Sequence, residues 1–237
     1  MVMMKKYGLI GNPLDHSLSA RLFEERFGAG RYELHAIPTL EGLRAWALGL
    51  GGFNVTLPYK EAILPLLDEV DAEARAIGAV NLVVVREGRL CGYNTDAAAF
   101  ADTLRPLLQP WHSEALILGT GGAAKAVAHA LNGLGIKSLM VSRQGAPHLT
   151  YAEAAERART ATLIVNATPV GMAPKEAQTP WSDTRMLSPR HLCYDLIYNP
   201  EETRFLLESQ LAGAQTANGM EMLRRQAYRS WQLWGLV

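Results

Sequence analysis

The sequence predicts an α/β protein with two domains, each built around its own β-sheet. Its 237 residues are 49% hydrophobic, which suits one or two packed cores. Strand-like and helix-like segments alternate along the chain, and this alternation favours parallel strands joined by right-handed crossovers. With a boundary near 97–112, we expect an N-terminal domain of residues 1–98, completed by a C-terminal helix at 219–237, and a second domain of residues 99–218.

In the N-terminal half, short apolar strands are separated by helices and turn residues. The first strand, residues 5–11, closes at Gly11, and a helix that either Ser17 or Ser19 can cap follows to Phe27. Residues 31–37 alternate between polar and apolar side chains, as a half-buried strand does. The remaining predictions are a helix at about 40–50, a strand at 53–57 ended by Pro58, a helical pattern at 59–77 interrupted near Pro65, a hairpin at 79–94 turning at Glu87-Gly88, and a helix at 96–108.

The second half repeats the strand and helix pattern more regularly. Residues 115–119 form an apolar run typical of a fully buried strand. A helix rich in small residues follows and stops at Gly135. Further strands are predicted at 137–142, 161–168 and 191–198, and an amphipathic helix at about 219–233.

Composition and charge exclude several classes of function. The 23 basic and 23 acidic residues cancel, so nothing favours binding to nucleic acid or to an anionic membrane. No apolar run reaches the roughly 18 residues of a membrane span, and the N-terminus lacks the apolar core of a signal peptide, so we expect a cytoplasmic protein. The isolated Cys91 and Cys193 suit buried structural positions, and the histidine spacing predicts no metal site.

A glycine-rich segment predicts a dinucleotide site in a Rossmann-like domain. Gly119-x-Gly121-x-x-Ala124 directly follows a predicted strand and opens a helix, which is the context that this fingerprint requires. Gly119 would form the tight turn, Gly121 would let the backbone approach a pyrophosphate, and Ala124 would let the helix pack close to the strand. The alternative is a glycine-rich turn that binds no ligand.

The end of the following strand favours NADP over NAD. NAD sites usually carry an acidic residue there, which holds the ribose hydroxyls. This chain has Ser142 and Arg143 instead, and a guanidinium can bind a 2′-phosphate in bidentate fashion. The alternative is that Arg143 is a solvated surface residue. The missing acid also disfavours S-adenosylmethionine, and no Gly-Lys-Ser/Thr sequence follows the glycines as in a nucleotide-triphosphate P-loop.

Polar side chains in the N-terminal domain lie at predicted strand ends and helix starts. The paired hydroxyls of Ser17 and Ser19, at a helix start, can bind a carboxylate. Taken singly, each polar residue also has an ordinary structural explanation, as a helix cap, a turn former or a solvated helix residue. The set comprises Ser17, Ser19, Asn54, Thr56, Lys60, Asn81, Asn94 and Asp96, and it suits a small acid that carries several hydroxyls.

Seven segments together resemble the shikimate dehydrogenase family in order and spacing: GNPLDHSLS, NVTLPYKE, GAVN, YNTD, GTGGAAKA, NATPVGM and NGMEMLRRQA. The resemblance covers nearly the whole chain. It implies an N-terminal α/β substrate domain and a Rossmann-like NADP-binding domain with a cleft between them. The implied reaction is the reversible, NADP-dependent reduction of 3-dehydroshikimate to shikimate in aromatic amino-acid biosynthesis, by a monomer or homodimer without nucleic-acid or membrane partners.

The same resemblance implies roles for individual residues. Lys60 and Asp96 match the catalytic pair of the family, and Ser17 and Ser19 would hold the substrate carboxylate. A methionine at helical spacing is more often a core residue, so Met222 keeps that alternative. The other substrate-binding positions are Thr56, Asn81, Tyr198 and Gln226, and the cofactor-binding positions are Gly119, Thr120, Gly121, Gly122, Ala123, Ala124, Ser142, Arg143, Asn166, Thr168, Gly219 and Met222.

The residue types suit this chemistry on their own terms. Hydride transfer to a ketone leaves a charge on oxygen, which the ammonium of Lys60 can stabilise and protonate. Asp96 can orient Lys60 and bind the same hydroxyl, and positioning of this kind supplies much of the rate. Whether Lys60 alone or the coupled pair is the proton donor stays open at this stage.

Departures from the family pattern keep alternatives in view. Ala97–Ala99 and Glu221 stand where glycines are common, which would reshape the ligand site. A quinate/shikimate dehydrogenase of broader specificity is one alternative, which the serine pair disfavours. A catalytically silent dinucleotide-binding regulator is another, which the retention of Lys60 and Asp96 disfavours. A folate-type dehydrogenase does not fit, because Tyr59 and Lys60 are adjacent rather than spaced as Tyr-x-x-x-Lys.

Overall fold

The computed structural model describes residues 5–14 and 17–237, and these residues form two compact units. The first unit runs to Asp96 and resumes at Arg224–Val237, and the second unit is Ala97–Leu223. The predicted division after residues 98 and 218 assigns functions to the two parts, and that assignment stays a prediction.

The first unit is built on a mixed sheet. Within the described residues the strand order is β2-β1-β3-β5-β6-β4, with β1 parallel to β2 and β3, β5 antiparallel to β3 and β6, and β4 parallel to β6. The elements are β1 (Lys6–Gly11), α1 (Ser19–Phe27), β2 (Tyr32–Ala36), α2 (Leu43–Ala47), β3 (Leu50–Val55), α3 (Tyr59–Ala62), a 3-10 turn (Leu64–Leu66), β4 (Glu69–Val70), α4 (Ala72–Ile77), β5 (Leu82–Arg86) and β6 (Arg89–Tyr93).

The hairpin between β5 and β6 turns where the sequence predicts. Glu87 has a φ of 50° and Gly88 a φ of 75°, and a tight two-residue turn that matches strand twist needs positive φ at both positions. Gly52, on β3, allows a close approach instead. A Cβ there would lie 2.1 Å from Nε1 of Trp234, whose indole donates to Val83 O at 3.1 Å.

Three predictions about the first unit are wrong in detail. The helical pattern at 59–77 is interrupted near Pro65, as predicted, but it also contains β4, which backbone hydrogen bonds to β6 define. The helix expected at 40–50 covers only Leu43–Ala47. Neither serine is the N-cap of α1. Leu18 holds that position, and Ser17 Oγ accepts from Ser19 N at 3.3 Å.

The second unit is built on a parallel sheet of order β11-β10-β9-β7-β8 among the described residues. It is the doubly wound order 2-1-3-4-5 read from the other edge. The elements are α5 (Asp96–Leu104, which starts on the last residue of the first unit), a 3-10 turn (Arg105–Leu107), β7 (Glu114–Leu118), α6 (Gly122–Gly133), β8 (Lys137–Val141), α7 (Tyr151–Arg157), β9 (Leu163–Asn166), β10 (Leu192–Asp195), α8 (Arg204–Leu211), β11 (Gln215–Ala217) and α9 (Met220–Leu233, which continues into the first unit).

The core of the second unit covers both faces of its central strands. Residues 115–118 of β7 and 163–166 of β9 are fully buried, as the near-continuous apolar runs of parallel strands predict. The sequence analysis missed α7, α8 and β11. Two of these begin at a threonine cap: Thr150 and Glu153 form a capping box at α7, and Thr203 caps α8.

Membrane-spanning helices, metal clusters and cysteines can each be examined among the described residues. Across residues 5–14 and 17–237, no helix is both long and apolar enough to cross a membrane. The same residues contain no group of three His, Cys, Asp or Glu side chains arranged to hold a metal. Cys91 and Cys193 are buried free thiols, and burial raises the pKa of Cys193 to about 12.

Candidate active site

Lys60 and Asp96 form an ion pair in the first unit. Lys60 Nζ lies 2.6 Å from Asp96 Oδ2, and the two side chains are 18% and 7% exposed. Lys60 lies on α3 directly after the loop that leaves β3, and Asp96 is the first residue of α5. Charge-assisted hydrogen bonds of this length are among the strong ones, so the pair is held firmly, while the Lys60 side chain as a whole keeps partial exposure.

Asn81 binds the other oxygen of the carboxylate. Its Nδ2 donates to Asp96 Oδ1 and to Thr95 Oγ1, both at 2.9 Å, and its Oδ1 accepts from Thr95 N at 2.7 Å. Both amide protons of Asn81 are therefore engaged within the chain. A substrate hydroxyl would donate to its Oδ1, or would replace one of the two acceptors of its Nδ2.

Asn94 holds the backbone of Asp96 and thereby helps to fix the position of its side chain. Its Oδ1 accepts from Asp96 N at 3.0 Å, and its Nδ2 donates to Ala79 O at 2.9 Å. Val80 N donates to Lys60 O at 2.8 Å, so the segment before β5 also holds the start of α3. From the sequence, Asn94 was predicted to be either one of the polar residues suited to a hydroxylated acid or a turn former, and Thr95 was not singled out. Their position just before a helix-starting aspartate was the available signal.

The other predicted substrate residues of the first unit lie on three elements. Thr56 is half-buried just after β3, and a Cβ at Gly11 would lie 2.4 Å from its Cγ2, so only glycine fits beside it. Gln226, on α9, is half-buried, and its carbonyl accepts from Ser230 Oγ at 2.9 Å. Ser17 and Ser19 are half-buried at the start of α1, beside residues 15 and 16, which lie outside the described residues.

Asn54 is a structural residue of this unit. Its Oδ1 accepts from Tyr32 OH at 2.8 Å, and its Nδ2 donates to Ser230 Oγ at 3.1 Å and to Asn81 O at 3.3 Å. These bonds join β2, β3 and α9 beneath the site. The network explains why a buried amide precedes Thr56 in the sequence.

The glycine-rich turn of the second unit has the shape that a pyrophosphate needs. Gly119 has a φ of 108°, and a Cβ there would lie 3.1 Å from Thr168 Cγ2. A Cβ at Gly121, by contrast, would meet no heavy atom within 4 Å, so space lies open beside the start of α6. Ala124 is fully buried, as close packing of helix and strand requires. Thr120, Gly122 and Ala123 are part of this half-exposed turn.

The turn lies where ligands bind in doubly wound sheets. The strand order reverses at β7, whose neighbours are β8 and β9, and binding sites lie beyond the carboxyl ends of the strands at such a point. Arg143, past the end of β8, is exposed, and Ser142 Oγ accepts from Gln144 N at 3.1 Å. Burial raises the pKa of Tyr151, at the start of α7, and the charge of Arg143 partly offsets that rise.

The remaining predicted residues of the second unit lie at the ends of β9, β10 and β11 and on α9. Asn166 is fully buried, and its side chain bonds to Thr168 and Asp195. A Cβ at Gly219 would lie 2.0 Å from Leu196 O, which only glycine allows. Met222 is 7% exposed, as a core methionine is, and Tyr198 is half-buried.

Comparison with known proteins identifies the family. The sequence profile of the shikimate dehydrogenase substrate binding domain matches residues 9–83. Shikimate dehydrogenase (NADP(+)) of Salinibacter ruber is 39% identical over 95% of this chain and 90% of that protein. The chain belongs to the shikimate dehydrogenase family. The resemblance predicted from its sequence motifs is thereby confirmed.

Solved structures of the shikimate dehydrogenase family have the same fold. Shikimate 5-dehydrogenase of Thermus thermophilus, in complex with NADP(H) and shikimate, is 37% identical, with a TM-score of 0.86 over 99% of this chain and 94% of that chain. Quinate dehydrogenase of Corynebacterium glutamicum, in complex with NAD, is 30% identical, with a TM-score of 0.83 over 98% and 94%. The predicted α/β fold, with an N-terminal substrate domain and a Rossmann-like domain, is confirmed, whereas the roles of single residues stay predictions.

Proposed function

We propose that this protein is an NADP-dependent shikimate dehydrogenase that reversibly reduces 3-dehydroshikimate to shikimate in aromatic amino-acid biosynthesis. Its 39% identity to a shikimate dehydrogenase (NADP(+)) supports the activity and the cofactor. The observation that carries the chemistry is the ion pair of Lys60 and Asp96, at 2.6 Å, with Asn81 on the second carboxylate oxygen.

Lys60 acts on the oxygen of the reacting carbonyl. Bound NADPH supplies the hydride that converts the ketone carbon into a secondary alcohol carbon. The Lys60 ammonium stabilises the charge that develops on the oxygen and gives it a proton. In shikimate oxidation the same proton returns to Lys60, which must then be neutral. Because Asp96 is the hydrogen-bond partner of Lys60, the protonation states of the two groups are coupled.

Asp96 acts by position and charge. Asn81 donates to its carboxylate, and Asn94 accepts from its backbone N–H, so Oδ2 keeps the Lys60 ammonium in one orientation. An ammonium fixed in this way needs little reorganisation when the oxygen becomes charged. The serine hydroxyls at 17 and 19 hold the substrate carboxylate. Thr56, Asn81 and Gln226 bind the ring hydroxyls or the carboxylate, and Tyr198 is the remaining proposed substrate residue.

The second unit binds NADP through backbone and side-chain groups. The open turn at Gly121 accepts the pyrophosphate at the start of α6, where backbone N–H groups and the helix dipole favour an anion. Ser142 and Arg143 take the 2′-phosphate. The other proposed cofactor residues are Gly119, Thr120, Gly122, Ala123, Ala124, Asn166, Thr168, Gly219 and Met222. Cytoplasmic localisation and a monomeric or homodimeric state remain predictions.

Quinate use is the second candidate function. The similarity to quinate dehydrogenase of Corynebacterium glutamicum, 30% identical, is the observation that favours it. Retention of both Ser17 and Ser19 favours shikimate, because quinate carries an additional hydroxyl at the carbon that bears its carboxylate. A steady-state assay of shikimate and quinate, each with NADP and with NAD, separates the candidates. We expect the highest kcat/KM for shikimate with NADP, and absence of turnover in all four pairs would exclude the enzyme.

The Lys60→Ala variant tests the role of the lysine. Removal of the proton donor should lower kcat by about 10³-fold while NADPH still binds. Lys6→Ala is the matched control, because Lys6 also pairs with a carboxylate of the first unit, Glu33 at 2.8 Å, but on the exposed surface. Near-normal kcat in Lys60→Ala would remove the lysine from the mechanism.

A further inference from the structure

Asp195 is a fully buried carboxylate at the end of β10 for which the proposed mechanism has no use. Oδ1 accepts from Asn166 Nδ2 and from Ile197 N, both at 3.0 Å, and Oδ2 accepts from Thr203 Oγ1 at 2.7 Å. A buried charge is costly unless it is hydrogen-bonded, so these donors explain how it is tolerated. They do not explain why an aspartate stands there.

The carboxylate determines which way the Asn166 amide faces. An ionised carboxylate only accepts, so Asn166 Nδ2 must face Asp195 and its Oδ1 must face the following loop. That Oδ1 accepts from Thr168 N at 3.0 Å and from Thr168 Oγ1 at 2.7 Å. Thr168 Oγ1 in turn accepts from Val170 N at 3.2 Å. Asn166 Nδ2 also donates to Val170 O at 3.3 Å, so the carboxylate and this carbonyl together fix the amide orientation that Thr168 requires.

The loop held in this way packs against the glycine-rich turn. A Cβ at Gly119 would lie 3.1 Å from Thr168 Cγ2 and 3.2 Å from Ala167 O. On the other side, a Cβ at Gly171 would lie 3.4 Å from Thr203 Cβ. Ile197, whose backbone N–H donates to Asp195, also accepts from Gly219 N at 2.9 Å through its carbonyl. A continuous set of contacts thus joins Asp195 to the turn at Gly119 and to the start of α9.

We propose that Asp195 is a positioning residue for NADP(H): through Asn166 and Thr168 it holds the loop after β9 against the glycine-rich turn. The inference rests on the proposed function, because it assumes that this turn binds the cofactor. Asp195 itself touches no ligand. Displacement of a binding group by a fraction of an ångström weakens binding and slows transfer, so a residue behind the site can control both.

Asp195→Asn is the test variant, because asparagine keeps the shape but replaces one acceptor oxygen by a donor. We expect the Kd for NADPH to rise about tenfold, the loss that one charge-assisted hydrogen bond typically brings. The KM for shikimate should stay within about twofold, since all the proposed substrate residues except Tyr198 lie in the other unit. Binding is measured by NADPH fluorescence titration, and KM by steady-state kinetics.

Tyr194→Phe is the matched structural control. Tyr194 precedes Asp195 on the same strand and is buried, and its hydroxyl shares a hydrogen bond of 2.8 Å with Thr103 Oγ1. Its loss should lower the melting temperature and leave NADPH affinity unchanged. An unchanged NADPH Kd in a folded Asp195→Asn variant would overturn the proposal and reduce Asp195 to a stability residue.

Thr203 provides a second route if Asp195→Asn does not fold. Thr203→Val removes the hydroxyl that donates to Asp195, and Thr203→Ser retains it. A rise in NADPH Kd in the valine variant that the serine variant lacks supports the proposal, and equal Kd values in both overturn it. Wild-type protein that binds no NADPH would instead contradict the proposed function itself.

Discussion

Asp96 and Asp195 are both buried carboxylates with an asparagine donor, but Asp96 faces an ammonium group whereas Asp195 faces neutral donors. Asn81 Nδ2 lies 2.9 Å from Asp96, and Asn166 Nδ2 lies 3.0 Å from Asp195. Asp96 is 5% exposed and pairs with Lys60, whereas Asp195 is fully buried and accepts from Ile197 N and Thr203 Oγ1. The same local arrangement therefore holds an ion pair in one unit and a network of neutral hydrogen-bond donors in the other.

The partner decides the difference between the two carboxylates. A cation at 2.6 Å gives Asp96 a group whose proton it can influence. Neutral donors only offset the loss of solvent, and burial raises the pKa of Asp195 to about 6. A strand-end aspartate beside an asparagine is thus not by itself a sign of catalysis.

Replacement of Asp96 by asparagine should give the largest effect. The variant leaves Lys60 without its carboxylate partner, and we expect kcat for shikimate oxidation to fall by about 10³-fold. NADPH affinity should not change. Asp195→Asn is the comparison variant, with kcat expected within about tenfold of wild type. The comparison breaks down if Asp96→Asn keeps more than about a tenth of wild-type kcat.

The pH dependence of stability should distinguish Asp195 next. Its pKa is raised from 3.8 to about 6 in the folded state, so the folded state binds the proton more tightly than the unfolded state does. The free energy of unfolding should therefore fall as the pH rises through this window, by about 3 kcal/mol relative to Asp195→Asn between roughly pH 4 and pH 7. Urea unfolding of both proteins at several pH values measures this difference. Parallel curves would mean that the carboxylate ionises as easily in the folded state as in the unfolded one.

The two asparagines offer the smallest and most selective test. Asn81→Ala should lower kcat/KM for shikimate about tenfold, because Asp96 loses a donor and the substrate loses a contact. The Kd for NADPH should stay within about twofold of wild type in this variant. Asn166→Ala should show the reverse pattern. If both variants affect the same ligand, the two arrangements do not serve different ligands.

Local sequence patterns predicted much of the fold, because the turns and helix starts in question are determined by residues that are adjacent in the sequence. The turn at Glu87-Gly88 and the glycine-rich turn at Gly119 are examples. By contrast, β4 has two residues and exists through its pairing with β6, so no window around it contains the cause. The caps at Thr150 and Thr203 could have been read from the sequence, since each threonine directly precedes its helix.

The residues of the candidate site likewise divide into those that sequence motifs predicted and those that only the tertiary fold reveals. The pairing of Lys60 with Asp96, which stand 36 residues apart, was expected through the family resemblance and not from their spacing. Asp195 was missed because its neighbours, Cys193, Tyr194, Leu196 and Ile197, are those of a buried strand. Its partner Asn166 is 29 residues away, and only the tertiary fold brings the two together.

The close packing of Trp234 on Gly52 has a consequence for the order in which the chain can fold during synthesis. Trp234 occupies the space that a side chain at position 52 would take. The ribosome adds Trp234 long after Gly52 and after the whole of the second unit. The contiguous Ala97–Leu223 segment can therefore complete its core while the first unit still lacks part of its own. Until Trp234 emerges, the first unit lacks the indole that packs on Gly52 and donates to Val83 O.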